Sequence, residues 1–240
     1  MRSFRARSGP FDEQLRFSTH EIDTMCVEAL GKVELLPQSP EPIRIDRFLE
    51  KYFECPVSYG DLGPGAMGCT AFRGDGSVEA IFVSRNIDNG FASSDRRVRS
   101  TLAHEGGHGL MHSVLFATGA NQTRFALDAG PRENLDLEQR RILCREGDIR
   151  PATKKAVYNG RWWEWQANRA IAGFLLPKAL VRHACGRFTE SSNVTKSPWL
   201  PDRNRRAAER DLATIFDVNP VVVRIRLEEM FPAEAAQMQF

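Results

Sequence analysis

The chain has 240 residues, 42% of them hydrophobic and 27% charged, and 33 Lys and Arg against 31 Asp and Glu leave a formal net charge of +2. That is enough chain for a full core, as one large domain or one domain with a small appendage. No apolar run is long enough to span a membrane, the Arg-rich start MRSFRARSGPFDEQ lacks the apolar stretch of a secretory signal, and the charge argues neither for nor against nucleic acid.

In chain order, residues 1–19 are polar and are expected to be poorly ordered, followed by a short helix at 20–31 that ends on Gly31. Pro37, Pro40 and Pro42 mark a linker. The pattern tightens from Ile43. Residues 46–53 read as a helix with Phe48, Leu49 and Phe53 inward, and strands follow at 56–59, 67–72 and 78–83. The last two read as a hairpin with Asp75-Gly76 at its tip. A helix over 97–116 comes next, with Ser93, Ser94 and Asp95 as N-caps and Gly119 as its stop. Residues 119–160 are charged and irregular, a long excursion. A strong helix is expected at 161–176, and Pro177 opens another that runs to about Cys185. A Ser/Thr/Pro linker at 189–201 leads to two final helices, 203–216 and 220–230, with Asn219 as the cap and Pro220 in the first turn of the second. The division is then a partly disordered extension at 1–42, a core at 43–190 and a helical appendage at 191–240. The five cysteines (26, 55, 69, 144 and 185) are odd in number and form no CxxC pair, so reduced thiols in a cytoplasmic protein are expected.

The chemistry concentrates at 104–108, His-Glu-Gly-Gly-His. Histidines four apart on a helix share a face and can reach one metal ion. Glu105 then sits beside the ion, placed to take a proton from an attacking water. Gly106, Gly107 and Gly109 each cost the helix about 1 kcal/mol against alanine, so another segment is expected to pack closely there.

A catalytic zinc site uses three protein ligands and keeps one position open. His112 is eight residues after His104, about 12 Å along the helix axis, too far for all three histidines to share an ion. It is expected to pack or hydrogen-bond beside the site instead. The pattern HExxHxxGxxH fails, because Met111 and Val114 stand where it needs Gly and His. His183 lies on a separate helix, and Glu133, Glu138 and Glu146 sit in the irregular segment. Glu164 is the best third ligand, on a helix rich in Trp and aliphatic residues, 56 positions after His108. Asn168, one turn later, is placed to accept the N–H of a ligating imidazole. The set of two histidines and a glutamate follows gluzincin logic.

The segments STLAHEGGHGLMH, WWEWQANRAIAGFLLP and AERDLATIFDVNPVVVRIRLEEM resemble the ImmA/IrrE family of bacterial and phage metallopeptidases, over about residues 43–230. The resemblance implies an α+β fold, a mainly helical zincin-like core with a small antiparallel sheet before the HExxH helix and a C-terminal helical pair. It implies zinc on His104, His108 and Glu164, with Glu105 as the catalytic carboxylate. It implies a zinc endopeptidase that cleaves a helix-turn-helix repressor encoded nearby and so relieves repression of a mobile element or stress regulon. Gly106 departs from the family, which usually has a larger apolar residue there. His112, His183 and Tyr158 are candidates for stabilising an oxyanion.

Two other readings stand beside this one. The helices at 203–230 resemble a helix-turn-helix, and a DNA-binding regulator would use Arg203, Arg205, Arg206, Arg210, Arg224 and Arg226. Asp202, Glu209, Asp211, Asp217, Glu228 and Glu229 cancel that charge, which favours a packing or docking surface. Alternatively, a catalytically silent zinc fold would act by binding a repressor or toxin partner.

Overall fold

The computed structural model describes residues 2–5, 11, 13–87, 91–117, 135–136, 140–147, 161–191 and 198–232. Among them the chain is α+β. In order run β1 (Arg2–Arg5), β2 (Glu13–Arg16), α1 (Thr19–Lys32), α2 (Ile45–Phe53), β3 (Val57–Gly60), β4 (Ala66–Phe72), β5 (Val78–Ser84) and α3 (Ala92–His112). There follow β6 (Leu135–Asp136), β7 (Arg141–Arg145), α4 (Trp162–Leu175), α5 (Lys178–Cys185), β8 (Glu190–Ser191), β9 (Pro198–Trp199), α6 (Asp202–Ile215) and α7 (Pro220–Met230).

Within the stretch expected to be poorly ordered, residues 2–5, 11 and 13–18 are described. β1 and β2 pair antiparallel, and Phe11, Leu15 and Phe17 are buried. Phe11 packs on Trp162, Trp163 and Phe116, with ring centroids 5.5–5.8 Å apart. Three apolar residues in a polar stretch are too sparse to form a periodic stripe, so their burial is invisible until the tryptophans of α4 are in place. α1 starts on a reciprocal cap: Ser18 Oγ accepts the Glu21 N–H at 3.2 Å and Glu21 Oε2 accepts the Ser18 N–H at 2.8 Å. Its end passes Gly31 by one residue.

The sheet corrects the expected antiparallel arrangement. Five strands lie in the order β3-β5-β4-β7-β6. β4 and β5 form the expected antiparallel hairpin, whose turn carries Gly76 at φ 87°. β3, however, runs parallel to β5 on the far side. Gly63 and Gly65, at φ 83° and 73°, carry the chain across the sheet instead of folding β3 back on β4. β7 pairs antiparallel with β4, and β6 with β7, so part of the expected irregular excursion extends the sheet. The expected linker at 189–201 likewise contains a short antiparallel pair, β8–β9. Gly119 lies outside the described residues.

α3 begins at Ala92, upstream of the expected caps, so Ser94 and Asp95 belong to its first turn, and the Ser94 hydroxyl donates to Phe91 O at 2.6 Å. The three glycines now have a physical reason. A Cβ on Gly107 would stand 2.7 Å from Ala170 Cβ and 3.1 Å from Ala167 Cα, so α4 crosses α3 with small residues on both sides. A Cβ on Gly106 would stand 2.8 Å from Leu49 of α2, and one on Gly109 2.7 Å from Phe53 and 2.9 Å from Val78. Each glycine is where a neighbouring element approaches the helix, and the lost helix propensity is exchanged for close packing.

α6 and α7 are joined through Asp217, which has φ 49°, and Pro220 opens α7 as expected. α7 buries Val223, Arg226 and Leu227. Arg226 is 1% exposed and its donors are all engaged. Nε donates to Leu176 O, Nη1 to Asp23 Oδ2 and Glu229 Oε2, and Nη2 to Asp23 Oδ1 and Ala172 O. Lys178 bridges Asp23 and Glu229 at 2.7 Å each. This buried ion network ties α1, α5 and α7 to the end of α4. A single apolar cluster likewise runs from Phe11 to Phe231. No helix among the described residues is long and apolar enough to cross a membrane.

Candidate metal centre

α3 and α4 lie against each other, and beside the crossing of small residues at Gly107, Ala167 and Ala170 they bring polar groups together. His104, Glu105, His108 and His112 are 0% exposed and Glu164 is 4% exposed. Five ionisable side chains buried together are costly unless something compensates them.

Three ligand atoms converge. His104 Nε2 lies 3.0 Å from His108 Nε2 and 3.1 Å from Glu164 Oε2, and His108 Nε2 lies 3.7 Å from that oxygen. With bonds of about 2.0–2.2 Å, the ligand atoms of a tetrahedral zinc site stand roughly 3.3–3.6 Å apart. The observed triangle brackets that spacing, so His104, His108 and Glu164 form a buried cluster that could hold a metal ion. Glu164 Oε1 is buried with no hydrogen-bond partner among the described residues, which leaves that carboxylate with coordinating capacity to spare.

The imidazole orientations follow from a chain of hydrogen bonds. Leu15 O can only accept, so the Gln166 amide nitrogen donates to it at 2.7 Å and Gln166 Oε1 faces His112. That oxygen accepts from His112 Nε2–H at 2.9 Å. Burial, reinforced by His108, pushes the His112 pKa down to about 3, so the ring is neutral and its Nδ1 is a lone pair. It accepts from His108 Nδ1–H at 3.0 Å. Burial also holds His108 below its ordinary range, against the pull of Glu164. His108 therefore turns an unprotonated Nε2 toward His104 and Glu164, the form a metal requires.

Glu105 is held apart from this triangle. The Thr70 hydroxyl of β4 donates to Glu105 Oε2 at 2.6 Å. Gly68, also on β4, leaves the room the carboxylate occupies: a Cβ there would strike Glu105 Oε1 and stand 2.7 Å from Thr101 Cγ2. A ring nitrogen of His104, a carboxylate oxygen of Glu105 and Cys144 Sγ also lie within 4.8 Å of one another.

The remaining candidates separate. His112 is outside the triangle, as its distance along the helix requires, and with both ring nitrogens engaged it is not an oxyanion donor. His183 is exposed on α5, whereas the cluster is buried. Glu146, outside the cluster, pairs with Arg97 at 2.5 Å. Asn168 is half-buried one turn beyond Glu164, and its hydrogen bond to an imidazole stays an expectation. Tyr158, Glu133 and Glu138 lie outside the described residues. Sequence reasoning missed Thr70, Gly68, Gln166 and Cys144. For Gln166 a signal existed, a polar residue among the tryptophans and alanine of the first turns of α4.

The chain matches no family model and no curated protein.

Proposed function

We propose that the chain is a zinc-dependent endopeptidase of the ImmA/IrrE type that cleaves a helix-turn-helix repressor. The observation that carries this reading is the triangle of His104 Nε2, His108 Nε2 and Glu164 Oε2 with the Glu105 carboxylate beside it. A bound zinc supplies Lewis acidity, which polarises a carbonyl oxygen and acidifies water. Glu105 accepts the proton of the attacking water and passes it to the leaving amine. Thr70 holds Glu105 Oε2 by hydrogen bonding, and Gly68 leaves the room that Oε1 occupies against β4. His112 and Gln166 fix the tautomer of His108 through the chain that ends on Leu15 O.

Glu105→Gln is expected to keep the metal and lose hydrolysis. Incubation with the repressor encoded beside this chain, with and without a chelator, reads out cleavage. Cleavage by Glu105→Gln at the parent rate removes the peptidase reading.

The burial of every group in the cluster favours a second reading, a zinc fold that binds a repressor or toxin partner without cutting it. Retention of the partner without cleavage, lost on metal removal, supports that reading. DNA binding through residues 203–230 is weaker than the sequence suggested. Arg226 is buried in an ion network, and Arg203 and Arg205 pair with Glu190 and Asp202.

A further inference from the structure

The hydrogen bonds that lead away from His108 end on a segment outside both ligand-bearing helices. His108 Nδ1 meets His112 Nδ1 at 3.0 Å, His112 Nε2 meets Gln166 Oε1 at 2.9 Å, and Gln166 Nε2 meets Leu15 O at 2.7 Å. Leu15 and Gln166 are 2% and 3% exposed, and both histidines 0%. The amide and the two imidazoles can run in either direction. A primary amide presents donors on one side and an acceptor on the other, and a neutral imidazole carries its proton on either nitrogen. With Gln166 Nε2 on Leu15 O, His112 keeps its proton on Nε2 and His108 keeps its proton on Nδ1. With the amide turned over, every link reverses. The amide donates to His112 Nε2, His112 Nδ1–H donates to His108 Nδ1, and the His108 proton moves to Nε2, which faces His104 at 3.0 Å and Glu164 at 3.7 Å. The two directions hold the same number of protons, but only the first leaves His108 Nε2 a lone pair for a metal.

The Leu15 carbonyl is the member of this relay that cannot reverse, because it only accepts. A turned amide would set Gln166 Oε1 against Leu15 O, two buried acceptors with no donor between them. The residues around that carbonyl are anchored on the ligand-bearing helices. Leu15 and Phe17 are buried, and Phe11 packs on Trp162 and Trp163 at the start of α4 and on Phe116 just past α3. Trp162 in turn stands edge-on to the His112 ring, with centroids 5.6 Å apart. We infer that the relay from His108 through His112 to Gln166 has two directions, of which one is competent for metal, and that Leu15 is the positioning residue that selects it. The inference rests on the assignment of His108 as a ligand and deepens it. Leu15 thereby belongs to the metal centre, although it lies on neither helix that carries a ligand.

Ring-nitrogen resonances and zinc affinity test this without reference to activity. In the zinc-free full chain, nitrogen resonances of the labelled imidazoles are expected to place the His108 proton on Nδ1 and the His112 proton on Nε2. Phe11→Ala removes the ring that anchors the segment carrying Leu15. It is expected to mix the two tautomers and to weaken zinc binding about tenfold or more, the usual size for loss of a ligand's support, measured by competition with a chelating dye. The milder Phe11→Leu is expected to keep most of the affinity. Gln166→Glu turns an oxygen toward His112 whether or not Leu15 O is in place, so Phe11→Ala in that background is expected to cost no further affinity. A zinc-free parent chain with the His108 proton on Nε2 overturns the inference. So does a folded Phe11→Ala chain with parental zinc affinity, or an equal loss from Phe11→Ala in both backgrounds. Each of these results, in a parent chain that binds zinc, leaves His104, His108 and Glu164 standing as ligands. A parent chain that takes up no zinc overturns the ligand assignment and this inference with it. Where Phe11→Ala does not fold, the ring resonances of the parent decide alone.

Discussion

Two regions bury ionisable groups, and they solve the problem differently. In the Asp23–Arg226–Lys178–Glu229 network every charge meets an opposite charge within the protein, and Arg226 donates five hydrogen bonds to five acceptors. At the α3–α4 site two imidazole nitrogens face each other at 3.0 Å, and a carboxylate oxygen has no partner among the described residues. The first region is complete as protein alone and serves as a structural tie. The second brings together ligand atoms that could hold a cation. Burial does not distinguish the two, but the fate of each donor and acceptor does.

Changes in each region are expected to leave the other's property intact. The largest effect on stability is expected from Arg226→Ala. It strands Asp23 and Glu229 near Lys178 alone, and breaking a buried pair in this way costs about 3–5 kcal/mol, read by denaturant unfolding. Metal affinity of the folded variant should not change. If it does, the two regions are coupled and the contrast fails. Gly107→Val forces β-branched bulk against the α4 backbone at Ala167 and Ala170. Overpacking of that kind costs about 1–3 kcal/mol, and because α3 and α4 carry the ligands, stability and metal affinity should fall together. A loss of stability with unchanged affinity would show that the ligand geometry does not depend on this crossing.

Gln166→Ala sharpens the contrast from the other side. It removes the group that fixes the His112 ring and through it His108, and loss of such support weakens metal binding about 10–100-fold. Competition with a chelating dye measures this, and an affinity within twofold of the parent would mean the chain of hydrogen bonds does not orient His108. The smallest effect concerns acid. Burial pushes the Asp23 carboxyl up, but Arg226 and Lys178 more than offset it and hold it below its ordinary value of 3.8. A carboxyl depressed in the folded state contributes stability above its unfolded pKa and loses it as pH falls through the folded value. Unfolding measured from neutral pH to below about 4 should therefore show a loss of stability that is reduced in Asp23→Asn. An equal loss in both chains would remove Asp23 as its source.

The sequence made local patterns legible and left long-range pairing hidden. The helical period exposed α2, α3, α4 and the final helices; the i, i+4 spacing made His104 and His108 candidates, and a glutamate on an apolar, aromatic-rich helix added Glu164. The glycines of α3 could be read as a sign of close packing, but Leu49, Phe53 and Ala170 could not be named as the neighbours. β7 is five residues in a charged stretch, and only pairing with β4 shows that Ile142 and Cys144 are buried. The same holds for Leu15, whose carbonyl ends the chain that starts at His108. Arg226 looked like part of a basic surface because a side chain's counter-charges, here Asp23 from more than two hundred residues away, leave no local trace.

The most direct test is the metal content of the purified chain and of Glu164→Ala, measured by elemental analysis after equilibration with zinc. One zinc per folded chain, lost or sharply reduced in the variant while the fold is retained, is the expected result. Equal zinc content in the two chains, or none in the parent, would contradict a metal centre built on His104, His108 and Glu164.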